Sequence, residues 1–147
     1  MVSTTSQYAL RALLALARLP KGEPALGRQL AAREGIPHNY LAKILKDLNS
    51  AGLVSAARGV GGGYRLERDP ARLCLAEVVD LFDTARPYDD CVIDELHPCS
   101  DATACAAHHE WRHVKNVYRS FLERTTLANL VDSEPTAPLV GALERRP

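Results

Sequence analysis

Three cysteines and a histidine lie close together in the chain as Cys91, Cys99, Cys105 and His108, in the order C-x7-C-x5-C-x2-H. Thiolates are soft donors that select iron–sulfur clusters or zinc, and an imidazole serves either. No two of these cysteines are close enough for the C-x2-4-C pair of a zinc finger. The surrounding stretch, residues 84–109, has little periodicity and is rich in Asp, Pro, Cys and His, so it is expected to be a loop. A loop imposes no fixed direction on its side chains and can turn several of them toward one centre. Cys105 and His108 are three residues apart, so a single helical turn would place both on one face. The competing reading is three unrelated cysteines. His108 is the expected fourth donor by position, with His109, Asp101 or a residue of a second subunit as the other choices. Cys74 stands apart and is expected to be a small buried apolar residue. His97 and His113 are expected to be ordinary surface or helix residues.

A second set of residues suits a polyanion. Residues 1–68 carry ten Lys and Arg against four acids, a surplus of +6, and residues 69–147 carry the matching −6, so the overall charge is zero. One surface is thereby expected to meet a polyanion while the other does not. Within the basic half, His38, Asn39 and Tyr40 would sit on the first turn of a helix, with Lys43 one turn further on. Asn pairs with adenine edges, and Lys and Tyr suit guanine edges or phosphate. Arg28 is placed to touch the DNA backbone. Arg58 opens a glycine-rich loop, where an arginine suits a narrow minor groove. Gly61 lets the backbone approach closely, and Lys46, Arg65 and Arg68 would add phosphate contacts.

These groups need elements to hold them. Ser3 to Ser6 offer N-cap hydroxyls to a first helix with an apolar stripe from Ala9 to Ala17, stopped by Pro20 and Gly22. A short second helix covers residues 25–34 and ends at Gly35. A third begins at Pro37 or His38, repeats Leu41, Ile44, Leu45 and Leu48 at helical spacing, and ends near Gly52. Two helices joined by a Gly–Pro turn read as helix-turn-helix. Residues 53–56 and 64–68 read as strands around the loop from Arg58 to Gly63, a hairpin placed like the wing of a winged-helix domain. Residues 75–82 form a short helix. A long helix is expected over residues 110–131, where Trp111, Val114, Tyr118, Phe121, Thr125 and Ala128 recur at heptad spacing and would pair two copies into a dimer. Residues 132–147 contain Pro135, Pro138 and Pro147 and read as a flexible tail.

The expected fold is therefore mainly α with a small β-hairpin. A winged helix-turn-helix domain covers 1–83, a cysteine-rich loop 84–109, a dimerisation helix 110–131 and a tail 132–147. At 147 residues the chain is too short for an α/β barrel, and 46% apolar with 24% charged residues is ordinary for a globular protein. No apolar run reaches the roughly 18 residues of a membrane span. The first eight residues show no basic-then-apolar leader, so a cytoplasmic location is expected. Gly59-x-Gly61 is followed by Tyr64 where a dinucleotide fingerprint requires glycine, and no phosphate loop is present. No Ser/His/Asp set or carboxylate pair suggests an enzyme.

The runs Gln7-Tyr8-Ala9-Leu10, Ile36 to Leu45 and Gly52 to Tyr64, together with three cysteines ahead of a C-terminal helix, resemble the bacterial winged-helix regulators typified by IscR and NsrR. The resemblance covers residues 1–131. It implies a homodimeric repressor that binds double-stranded operator DNA, holds an iron–sulfur cluster and responds to redox state, nitric oxide or iron. The x7 first interval resembles the iron-responsive branch, which holds [4Fe–4S]. The C-x2-H ending resembles the cluster-biogenesis regulator, which holds [2Fe–2S]. Gln7 stands where some nitric-oxide-sensing members carry an aspartate ligand. Tyr64, inside the most specific of these runs, joins the residues expected at DNA. The other readings are a DNA-binding regulator that senses zinc or thiol oxidation, and an electron-transfer iron–sulfur protein.

Overall fold

A computed structural model describes residues 2–83, 91–93 and 99–133. The chain forms six α-helices among these residues: α1 (Thr4–Ala17), α2 (Gly27–Glu34), α3 (His38–Ser50), α4 (Leu75–Phe82), α5 (His108–Arg124) and α6 (Leu127–Val131). A two-stranded hairpin, β1 (Val54–Ala57) and β2 (Gly63–Leu66), sits between α3 and α4. None of the described helices is long and apolar enough to cross a membrane. The expected tail beyond Ser133, His97 and the cysteine-loop residues 84–90 and 94–98 lie outside the described residues.

Helix α1 is the hub. Ala9, Ala12, Leu13, Leu14, Ala15 and Leu16 are all buried, so most of its circumference is covered, as expected for a helix at the centre of a core rather than on its surface. Its start is fixed by the Ser3 hydroxyl, which accepts from the Ser6 N–H at 3.2 Å. The Ser3 N–H in turn donates to Asp83 Oδ2 at 3.0 Å, and its hydroxyl donates to Asp83 Oδ1, tying the head of α1 to the residue after α4.

Helix α2 stops where Gly35 adopts a left-handed φ of 61°. The Ile36 N–H then reaches back to the Ala31 carbonyl at 2.9 Å, which closes the helix end and swings the chain into α3. Arg11 of α1 donates to the Glu34 carbonyl and holds this corner down. Helix α3 buries Leu41, Ile44, Leu45 and Leu48, one stripe at i, i+3, i+4 and i+7. The opposite face of α3 is left to solvent.

The hairpin pairs Val54 with Leu66 and Ala57 with Gly63. A third segment joins it: Ala25 and Tyr64 exchange N–H to carbonyl bonds at 2.9 and 2.8 Å. Residue 25 is thus extended rather than helical, and α2 starts two residues later than the sequence suggests. Gly63 takes φ +130°, and a Cβ there would stand 2.7 Å from the Ala25 carbonyl oxygen. Only glycine allows that third segment to lie so close.

The expected helix over 110–131 is instead two helices with a break at Thr125 and Thr126. Thr125 is extended, with φ −86° and ψ 118°. The Leu75 N–H donates to the Thr125 carbonyl at 3.0 Å, and the Leu127 N–H donates to the Leu73 carbonyl at 2.8 Å. Thr126 then caps α6 through the Asn129 N–H. The break lets α6 fold back onto α1, where Leu127 is fully buried. Helix α5 packs on α4 through a smaller cluster of Leu75, Ala76, Val79 and Leu122. Cys74, expected to be buried, is half-buried at the start of α4, with its backbone N–H 3.4 Å from Glu77 Oε1.

Candidate nucleic-acid interface and candidate metal centre

The exposed face of α3 presents His38, Asn39, Lys43 and Lys46. Arg28, on the first turn of α2, is exposed beside them. A shallow groove of about 360 Å³ runs between α2, α3 and the hairpin, lined by Gly27, Arg28, His38, Ala42, Leu45 and Tyr64. The described ion pairs of the chain use Arg11, Arg33, Arg68, Arg112 and Arg119. Arg28, Lys43, Lys46 and Arg58 are in none of these described pairs, and all four are exposed. Arg58 and Val60 extend from the hairpin loop, and Gly59 and Gly61 make its turns with φ 89° and 74°.

Four residues expected at DNA are engaged within the chain. The Tyr40 hydroxyl meets Thr5 Oγ1 at 2.6 Å, and its ring stacks edge-on against Tyr8 at 5.7 Å. Tyr40 thus couples the first turn of α3 to the head of α1. Tyr64 lies half-buried in the wing root, where a Cβ on Gly27 would come 3.4 Å from its ring. Arg65 donates to the Gly22 carbonyl at 2.7 Å and to the Gly61 carbonyl at 3.1 Å. Through these two bonds it braces the hairpin loop. Arg68 faces Glu77 Oε2 at 3.4 Å. These links join residues up to 43 apart, and no local spacing announces them.

Cys99, Asp101 and the Cys105 backbone meet His108 at the entry to α5. His108 opens that helix and is 3% exposed. Its Nδ1 lies 3.3 Å from Cys99 Sγ, and its Nε2 lies 2.8 Å from Asp101 Oδ1. The same Asp101 oxygen accepts from Arg112 Nη1 at 2.8 Å. The hydrogen bond from His108, and then the charge of Arg112, hold the Asp101 carboxyl below its usual range. Asp101 is therefore ionised at neutral pH and can only accept, so Nε2 of His108 carries the proton. The other ring nitrogen, Nδ1, faces Cys99 Sγ.

Cys91, Cys99 and Cys105 are all half-buried, and no disulfide links the four cysteines. The Cys105 carbonyl accepts from the His108 N–H at 3.0 Å, in the turn that leads into α5. The structure thus brings together Cys99, His108 and Asp101, with the Cys105 backbone alongside. Among the described residues no three His, Cys, Asp or Glu side chains converge on one metal position. The reason is visible in the ring: Cys99 and Asp101 occupy opposite nitrogens of His108. His109 lies outside this arrangement, its ring edge-on to His108 and its Nδ1 3.4 Å from Arg112.

On the far side of α5, Val114, Val117 and Phe121 are 50%, 56% and 51% exposed. Trp111 is half-buried. Tyr118 packs inward against the α4–α5 cluster. The apolar stripe that faces outward therefore runs Val114, Val117, Phe121, and the heptad reading missed Val117. An i, i+3, i+7 reading anchored on Val114 would have found it.

Residues 2–133 match the Rrf2 family, described as iron-dependent transcriptional regulators. An HTH-type transcriptional regulator of Aquifex aeolicus (strain VF5) is 33% identical over 138 residues, covering 90% of this chain and 92% of that protein. The regulator IscR of Xenorhabdus nematophila is 32% identical over 133 residues, covering 90% and 80%. In fold, the chain is similar to CymR, the global cysteine regulator of B. subtilis, with a TM-score of 0.74, 24% identity and coverage of 89% and 95%. With the hairpin, the α2–α3 turn and this match over nearly its whole length, the chain belongs to the Rrf2 family of winged-helix transcriptional regulators, and is not an enzyme.

Proposed function

We propose that the protein is a homodimeric cytoplasmic repressor whose affinity for double-stranded operator DNA is set by an iron–sulfur cluster, [2Fe–2S] or [4Fe–4S], held by Cys91, Cys99, Cys105 and His108. The observation that carries this reading is the contact of Cys99 Sγ with His108 Nδ1 at 3.3 Å, on the first turn of the helix that presents the apolar stripe. The donor set fits such a group, being three half-buried, unbridged thiols and one imidazole. When bound, the cluster would supply a linkage among these donors that is sensitive to oxidants, nitric oxide and iron supply. Cys91 and Cys105 would close on the Cys99–His108 pair as the ligands gather, the usual coupling of metal binding to local folding.

His108 and the stripe of Val114, Val117 and Phe121 share one helix. Ligation at the head of α5 therefore fixes the element that sets the spacing of two reading heads. Two such heads about 34 Å apart would meet successive major grooves on one side of the duplex. Asn39 and Lys43 would face base edges, Arg28 and Lys46 phosphates, and Arg58 the minor groove.

Anaerobic purification followed by absorption and Mössbauer spectroscopy tests the reading. Cys91→Ala, Cys99→Ala and Cys105→Ala should each abolish the chromophore, and a full cluster retained in any of the three removes that cysteine from the set. A thiol-redox or zinc-responsive regulator is the second reading. It is favoured by the same thiol–imidazole contact of Cys99 and His108. A colourless anaerobic protein with stoichiometric zinc, or one whose operator affinity tracks thiol oxidation alone, would establish it.

A further inference from the structure

The bonds around His108 say more than which residues could bind a metal; they say which nitrogen would. The imidazole is buried and its two nitrogens have different partners: Asp101 Oδ1 at 2.8 Å on Nε2, Cys99 Sγ at 3.3 Å on Nδ1. Asp101 comes from the short turn Asp101–Thr103, outside α5. It is steadied there by Arg112 at 2.8 Å and by a side-chain bond between Ser100 and Thr103 at 2.8 Å. His108 and Arg112 are four residues apart and so lie on one face of α5. Both grip the same carboxylate oxygen. An imidazole whose far N–H is held by a carboxylate is fixed in tautomer and orientation, and its near nitrogen becomes a better donor.

We propose that Asp101, braced by Arg112, is the positioning residue of the centre, holding the Nε2–H of His108 and presenting Nδ1, beside Cys99, as the ligating nitrogen. This rests on the cluster reading for its ligand, while the orientation of the ring rests on the contacts of His108 with Asp101 and Cys99. On this assignment Asp101 orients the ring rather than meeting the metal: its Oδ1 accepts from two N–H groups, on the side of the ring away from Cys99.

Two measurements on the full chain test the assignment. In metal-free protein labelled with 15N-histidine, long-range 1H–15N spectra should show His108 as the Nε2–H tautomer. In Asp101→Ala the ring should become a mixture of tautomers, and Asp101→Asn, which keeps an acceptor oxygen, should restore much of the wild-type pattern. In protein reconstituted with ferrous iron and sulfide, the centre should show coupling to one imidazole nitrogen, and Asp101→Ala should lose iron to a chelator about 10–100-fold faster than wild type. Circular dichroism of the metal-free variant separates this from a failure to fold. Wild-type tautomer and loss rate in Asp101→Ala would overturn the proposal. A loaded wild type with no imidazole coupling would overturn it as well, while leaving a three-cysteine cluster and the proposed function intact. A protein that shows the Nε2–H tautomer but takes up no iron and sulfide would instead sink the cluster reading and keep Asp101 as the residue that orients His108 toward Cys99.

Discussion

Arg58 and Arg65 flank one glycine loop, yet they do different work. Arg65 spends its donors on the Gly22 and Gly61 carbonyls, so its charge shapes the hairpin. Arg58 is exposed and in none of the described ion pairs. Arg58→Ala is accordingly expected to weaken operator binding by about 1–3 kcal/mol if the guanidinium reads a base edge. If it meets only phosphate, the loss should be nearly uniform across sequences and lower the salt slope by about one. Fluorescence anisotropy against specific and scrambled duplexes over a salt series distinguishes the two, and the melting temperature should not move. Unchanged binding would remove the hairpin tip from recognition. At this scale the sequence was legible in kind but not in partnership. It marked both arginines, both tyrosines and the cysteine group by residue type. It could not show that Tyr40 answers Thr5 or that Arg65 answers Gly22, because those partners are 35 and 43 residues away. Asp101 was visible as a candidate ligand. Its actual place, on the far nitrogen of His108, needed the fold.

Helices α1 to α4 and the hairpin were readable because each carries its own punctuation: Ser3 before α1, Gly35 after α2, Pro37 before α3, and the glycines of the turn. Residues 110–131 were read as one helix because Thr125 and Thr126 carry no breaker signal. Here a tertiary demand overrides local preference. The chain opens at Thr125 to pair with residues 73–75, and Leu127 drops into the main core. The break is therefore held by packing, and Leu127 is its anchor. Leu127→Ala should cost about 2–5 kcal/mol, the range for a fully buried leucine. A denaturant titration would check this, with loss of far-ultraviolet helix signal at lower denaturant. A cost below about 0.5 kcal/mol, typical of a surface site, would mean that α6 is not docked in solution.

For the whole molecule, the charge split and the two faces of α5 act together. The basic half carries α3 and the hairpin, and the acidic half carries the cysteine region and α5, so the surplus positive charge lies with the proposed DNA-reading elements. Leu122 and Tyr118 turn α5 inward onto α4, leaving Val114, Val117 and Phe121 outward. An apolar stripe left in water is costly, and in the proposed dimer a matching copy would cover it by two-fold symmetry. Placing a charge on that stripe should break the pairing without touching the core. Val117→Asp with Phe121→Asp is expected to convert the protein to monomer in sedimentation velocity. The core of Leu13, Leu41 and Leu127 does not include these side chains, so the helix content should persist. Operator affinity should then fall by well over tenfold, because two half-sites no longer bind as one unit and the second contact loses its effective concentration. Each isolated half-site should still be bound at the monomer's own weak affinity. A double variant that remains dimeric would place the pairing surface elsewhere and would uncouple the head of α5, where His108 sits, from the spacing of the reading heads.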